Sequence, residues 1–270
     1  MGWTDTMHRA IDRLARAPGL RSAGERAYLK RFVNNVDANL FHGVFDSFAA
    51  AAASAPSNRP VGYDNEGSAN LAYLSRIYPT DYAALFWLSN SLAEGLRSVF
   101  DLGGHVGIKY YAFRRAIDYP CNFKWTVCDV PAVVARGREL ASQRDPEHGL
   151  HFTDDYRQAS GCDVLYASGS LQYLPLTLAD LLATLPRRPR RLVVNLTPIH
   201  PSRSFYTLNS IGTAFCAYRV QSHDEFVDAV VARGYERRDE WENVGKALRL
   251  PFEDGYDVDS YSGFCFDHRG

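Results

Sequence analysis

The stretch Ser98-Val99-Phe100-Asp101-Leu102-Gly103-Gly104-His105-Val106-Gly107 decides how this chain folds. An apolar run, Val99-Phe100, ends in an acid; a glycine-rich turn follows, then a segment, Ile108 to Ile117, with helical patterning. Strand, turn and helix in that order make a place where backbone can approach a ligand closely, because glycine has no Cβ to obstruct it. Asp129 closes a second apolar run, Lys124-Trp125-Thr126-Val127-Cys128, and Asp154-Asp155 close a third. Acids at successive strand ends along one edge of a parallel sheet describe a nucleotide-type site.

Downstream, apolar runs alternate with helical patterns. Strands are expected over 99–102, 124–128, 150–153, 163–167 and 191–196, with helices over 107–117, 131–142 and 177–185. Such alternation builds βαβ units, a parallel sheet with helices on both faces. Residues 205–220 read as a turn or helix, and His223 to Arg233 as an amphipathic helix ended by Gly234. Tyr235 to Glu242 and Tyr261 to Phe266 then follow with no helix between them, which predicts an antiparallel hairpin at the sheet edge. No internal repeat is visible.

Upstream, residues 1–97 read as helices. Ile11, Leu14 and Ala15 form one apolar stripe, Tyr28, Leu29, Phe32, Val33 and Val36 a second, and Leu40 to Ala55 a third, ended by Pro56. Two more helices are expected, over Ala69 to Arg76 and from Tyr82 to about Leu96. The reading is therefore a helical cap or lid, 1–97, over a sheet domain, 98–270.

The 270 residues are 46% hydrophobic and 13% aromatic, enough for a sizeable core. A net charge of −1 gives no field to draw in nucleic acid or a membrane surface. The basic run Arg187-Arg188-Pro189-Arg190-Arg191 reads as a solvated turn before a strand. Five scattered cysteines without a C-x-x-C pair fit a reduced, cytoplasmic protein. The N-terminus lacks a signal-peptide pattern, and no apolar stretch reaches the ~20 residues of a membrane span.

The glycine turn is not a nicotinamide fingerprint, since His105 stands where a middle glycine is expected. Asp101, two residues before the first glycine, would repel a diphosphate, so a cationic ligand suits the turn better. No G-K-[ST] follows, which excludes a P-loop. Asp129 can accept from ribose hydroxyls or act as a helix N-cap before Pro131. Asp154 and Asp155 can accept from an adenine amino group or cap a turn. Ser168-Gly169-Ser170 after the fourth strand can meet the other end of a ligand or form a plain loop.

These residues resemble a family. Phe100-Asp101-Leu-Gly103-Gly104-His105-Val-Gly107, then Val127-Cys-Asp129-Val130-Pro131-Ala-Val133-Val134, then Asp163-Val-Leu-Tyr166-Ala-Ser168-Gly169-Ser170-Leu-Gln-Tyr173-Leu are similar to motifs of class I S-adenosylmethionine-dependent methyltransferases. The Asp-Val-Pro-x-Val-Val segment is closest to small-molecule O-methyltransferases. The resemblance covers 98–270 and, loosely, the cap. It implies a Rossmann-like seven-stranded sheet ordered 3-2-1-4-5-7-6, with the last strand antiparallel. It also implies that Gly103, Gly104 and Gly107, with Asp101 and His105, cradle the methionine portion of S-adenosylmethionine. Asp129 and Val130 would then bind the ribose, and Asp154 and Asp155 would lie near the adenine. S-adenosylhomocysteine is the implied product. Plant-type relatives carry a general-base His after strand four; here that region reads Leu171-Gln172-Tyr173, so no base transfers by analogy.

Methyl transfer demands alignment and exclusion of water, and a hydroxyl acceptor can also require a base. Candidates lie beyond strand five: His200, Tyr206 and Asn209, with Tyr218 less favoured. Tyr63 is placed to close over the cofactor from the cap, or to anchor packing there. His42 reads as a helix histidine. No metal triad is apparent. The expected function is methylation of a small molecule at oxygen, with N- or C-methylation, or a catalytically silent cofactor-binding protein, as alternatives. A nicotinamide oxidoreductase fits the glycine spacing poorly. A homodimer through the cap is compatible with its apolar helices.

Overall fold

A computed structural model describes residues 21–64, 76–145 and 149–270. In chain order the elements begin with α1 (Arg21–Val33), β1 (Leu40–Phe45), α2 (Phe48–Ala53), α3 (Tyr82–Ala93), β2 (Ser98–Leu102) and α4 (Ile108–Phe113). They continue with β3 (Lys124–Cys128), α5 (Pro131–Arg144), β4 (Leu150–Thr153), β5 (Val164–Ser168), α6 (Leu178–Thr184), β6 (Arg191–Thr197) and β7 (Ile199–His200). The chain ends with β8 (Phe205–Ser210), β9 (Phe215–Ser222), α7 (His223–Val231), β10 (Tyr235–Asn243) and β11 (Tyr261–His268). The helices expected around Ile11 and over Ala69 to Arg76 fall outside the described residues, apart from Arg76 itself.

Seven strands form the main sheet in the order β10-β11-β6-β5-β2-β3-β4. The pairs β2–β3, β3–β4, β2–β5 and β5–β6 are parallel, whereas β11 runs antiparallel to both β6 and β10. The expected edge hairpin is therefore present. Period-two alternation sorts each strand's side chains onto two buried faces. Val99, Trp125, Val127, Tyr166, Val193 and Cys265 pack on one face under α3 and α4. Phe100, Leu102, Leu165, Ala167, Leu192, Val194, Phe264 and Phe266 pack on the other, under α6 and α7. Thr177 opens α6 with a capping box to Asp180, and the Ser222 hydroxyl caps α7 by accepting from Glu225 N.

A second sheet, β1-β8-β9-β7, departs from the sequence reading in two places. The apolar stripe from Leu40 to Ala55 is not one helix. Leu40–Phe45 is a strand that pairs antiparallel with β8, Leu40 opposite Ser210 and Phe41 opposite Asn209. Gly43 at φ 74° interrupts it, Ser47 caps the following turn, and only Phe48–Ala53 is helical. Residues 205–220 are not a turn or helix either: β8 and β9 form a hairpin in register from Phe205–Val220 to Ser210–Phe215. The chain before β2 is thus stitched by strand pairing to the chain after β6. Residues 60–62 add to the same sheet, Gly62 N donating to Phe215 O at 2.8 Å and Phe215 N to Pro60 O at 3.0 Å. No helix among the described residues is long and apolar enough to cross a membrane.

Candidate active site

The turn after β2 is fixed from three sides. Gly103 N donates to Cys128 O at 2.7 Å, which ties the turn to the end of β3. Gly103 sits at φ 75°, and a Cβ there would lie 2.3 Å from the Ser170 Cβ. Ser170 in turn donates its hydroxyl to Leu102 O. A Cβ on Gly104 would stand 2.3 Å from Asp101 Oδ2. Both positions demand glycine on steric grounds.

Asp101 therefore sits beneath the turn and not in front of a ligand. It is 1% exposed and accepts from Trp125 Nε1 at 3.0 Å. Burial, with a smaller push from Asp129, raises its carboxyl to about 7; the Trp125 hydrogen bond and Lys109 oppose this. Asp101, expected to meet a cationic ligand, does not line the cavity described below and packs directly under Gly104.

Asp129 ends β3 and joins it to the turn. Its Oδ2 accepts from His105 N and its Oδ1 from Val130 N, both at 2.8 Å. The cap of α5 is Val130, without a side-chain hydrogen bond, so Asp129 is not the N-cap. Burial raises the Asp129 carboxyl, and the two amides hold it down in part. Each oxygen keeps a lone pair for a further donor.

A cavity of about 790 Å³ opens at this strand edge, beside the switch point between β2 and β5 where open α/β sheets bind ligands. Of the expected binding residues, Tyr63, Gly103, His105, Asp129, Val130, Asp154, Gly169 and Ser170 line it. Asp101, Gly104, Gly107, Asp155 and Ser168 do not. Gly107 caps α4 in the left-handed region. Asp155 accepts from the Arg157 backbone N and from its Nε, which draws its carboxyl below the ordinary value. The Ser168 hydroxyl lies 3.5 Å from Asn195 Nδ2.

None of the three expected catalytic residues faces the cavity. His200 is buried; its Nδ1 accepts from Ser202 N and Arg203 N, so Nε2 carries the proton and donates to Gly255 O at 3.1 Å. Burial lowers its pKa, and both nitrogens are used structurally. Tyr206 lines a separate cavity. Asn209, 0% exposed, stands behind the wall, accepting from Tyr173 Oη at 3.0 Å and donating to Leu40 O at 3.1 Å. His42 is on strand β1 instead of a helix, its ring 5.4 Å from Phe32.

The far wall carries residues the sequence reading did not single out: Asp37 and Asn39 before β1, Tyr173, and Ile211 and Thr213 at the hairpin tip. Asn35 fixes that loop, donating to Ala38 O and Ser210 O while accepting from Ala38 N. Tyr173 stood inside a quoted motif; the others become visible only once 40–45 is a strand. Tyr63 lies 6.4 Å from the His105 ring and 6.2 Å from Tyr173. Burial, then Asp129, pushes its phenol up to about 12, so it is neutral. Among the described residues no group of His, Cys, Asp and Glu is arranged to hold a metal.

Numbered within the sheet alone, the main strands run 3-2-1-4-5-7-6, the seventh antiparallel. This is the class I methyltransferase fold. Similar solved structures include the magnesium protoporphyrin IX methyltransferase of Synechocystis PCC 6803 with bound S-adenosylmethionine: 14% identity, 70% of this chain, 78% of that one, TM-score 0.45. The 1,6-didemethyltoxoflavin-N1-methyltransferase of Burkholderia thailandensis is 16% identical over 72% of this chain and 92% of its own, TM-score 0.44. Mitomycin 7-O-methyltransferase is 17% identical over 69% of this chain, TM-score 0.40, and the match spans 54% of that enzyme. No family model matches the sequence, and no curated protein does.

Proposed function

We propose that this protein is an S-adenosylmethionine-dependent methyltransferase that methylates a small molecule at oxygen. The observation that carries the reading is Asp129, hydrogen-bonded to the glycine turn and lining the cavity at the switch point of the sheet. The residues fit the group. Gly103 leaves backbone exposed on the cavity where a Cβ would collide with Ser170, and about 790 Å³ lies within the usual range for a cofactor pocket with room for an acceptor. Asp129 offers lone pairs to sugar hydroxyls. Asp154 and Tyr156, after β4, flank the place for the base, and Gly169 and Ser170 the place for the amino-acid end.

When bound, the sulfonium supplies a methyl carbon open to in-line displacement. The chain's contribution is position and dryness. Tyr63 and Tyr173 present rings to the cavity, and the loop at Asp37–Asn39 and the hairpin tip at Ile211–Thr213 line it with them. Those segments align an acceptor against the glycine turn and keep water from it. In this reading residues 1–97, together with β8 and β9, serve as the lid over the domain from residue 98.

Incubation with a labelled methyl donor and a panel of phenols, carboxylic acids and amines tests the proposal. Label on a hydroxyl or carboxyl acceptor supports it. Label on amines alone moves the reaction to nitrogen, and cofactor binding with no transfer to any acceptor leaves a silent binding protein.

A further inference from the structure

A second cavity, of about 630 Å³, lies on the other side of the 173–177 segment from the first, and nothing in the proposed methyl transfer uses it. Two arginines line it. Arg203 lies over the Tyr256 ring at 4.9 Å and Arg219 over the Tyr206 ring at 5.6 Å. Neither forms an ion pair with a carboxylate of a described residue. Arg219 is only 6% exposed; its charge is met by the carbonyls of Leu176 (2.7 Å) and Pro175 (2.8 Å), and its Nε has no hydrogen-bond partner among the described residues.

Asp180 feels the Arg219 charge from a distance, but no carboxylate of a described residue touches the buried guanidinium, and an incoming anion in direct contact offsets its desolvation. The acids that share the cavity, Asp46 and Glu225, make no ion pair with either arginine. Glu225 already accepts from the Ser204 hydroxyl and from Gln221 Nε2, and Asp46 is exposed to solvent. Guanidinium forks match carboxylates, while the aromatic rings under and beside them favour a flat apolar body. We propose that this cavity is a second binding site, for an aromatic carboxylate. Leu174 and Leu176 line the first cavity while Arg219 holds the adjacent carbonyls from behind, so an occupant here would brace the wall of the first site.

The test uses benzoate, titrated into the full-length protein by calorimetry, with benzylamine and inorganic phosphate as comparisons. The expected result is saturable one-to-one binding of benzoate that persists in saturating S-adenosylhomocysteine. It should weaken at least tenfold in Arg203→Met, whose exposed position leaves the melting temperature unchanged. Arg219→Lys, which keeps charge and loses the fork, should weaken it as well. Benzoate binding indifferent to both substitutions, or displaced by S-adenosylhomocysteine, overturns the site. Equal affinity for phosphate overturns the aromatic part, and preference for benzylamine overturns the anionic part. A chain that ignores S-adenosylhomocysteine but binds benzoate through Arg203 would remove the methyltransferase reading and leave this site standing.

Discussion

Asp101 ties the stability of the glycine turn to pH. Its carboxyl is 1% exposed, bonded to Trp125 Nε1, and raised by burial from 3.8 to about 7. Between about pH 4 and pH 7 the folded protein therefore keeps a proton that the unfolded chain has released, so stability falls as pH rises through that window. A shift of that size, at about 1.4 kcal/mol per pH unit, amounts to about 4 kcal/mol lost by pH 8. Asp101→Asn keeps the shape and an oxygen for Trp125 but cannot titrate. Urea unfolding of both proteins at half-unit steps from pH 4 to pH 8 reads the effect, because carboxylates remote from Asp101 cancel in the difference and only those that act on it, Asp129 above all, add to it. The wild type should lose several kcal/mol relative to Asp101→Asn as pH rises, with most of the change below pH 7. Two curves that stay parallel over the whole range would refute the claim that Asp101 is a buried carboxyl that keeps its proton in the folded protein.

Other consequences follow from single contacts. Gly104→Ala places a methyl 2.3 Å from Asp101 Oδ2 at a backbone angle alanine tolerates, so it should cost about 1–3 kcal/mol by denaturation and weaken S-adenosylhomocysteine binding in the same protein. Asp81 is fully buried against Lys109 Nζ at 2.7 Å; Asp81→Ala should destabilise by about 3–5 kcal/mol, because it strands the lysine, and unchanged unfolding would show the pair to be idle. His200→Ala should cost about 1–3 kcal/mol through the loss of its bonds to Gly255, Ser202 and Arg203. Turnover per folded molecule should survive it, and a dead but folded His200→Ala would restore the residue to the chemistry.

The βαβ half of the chain was legible because its strands are buried on both faces and end in turn chemistry. Val164-Leu165-Tyr166-Ala167 has no polar residue to blur it, and the glycine turn declares its own strand and helix. The edge hairpin of β10 and β11 could be read from the missing helix between them. The segment Leu40–Ala55 was harder. Its apolar residues satisfy a helical stripe, yet long-range pairing with β8 and the break at Gly43 select a strand, and neither partner is local. The same non-local pairing hid the hairpin at 205–222, and with it the loop at Asp37–Asn39. Where the catalytic candidates lie relative to the cavity was hidden for a related reason. Sequence places His200 at a strand's end but says nothing of which way its ring turns, and two backbone amides hold Nδ1 away from the cavity.

The central claim is that a sulfonium-bearing nucleoside lies on the glycine turn with its sugar held by Asp129. Titration calorimetry with S-adenosylhomocysteine, on wild type and Asp129→Ala side by side, tests it most directly. The account predicts one site per chain in the wild type and a loss of at least tenfold in affinity in the variant, which still folds. No heat in the wild type, or equal affinity in the two proteins, would contradict it.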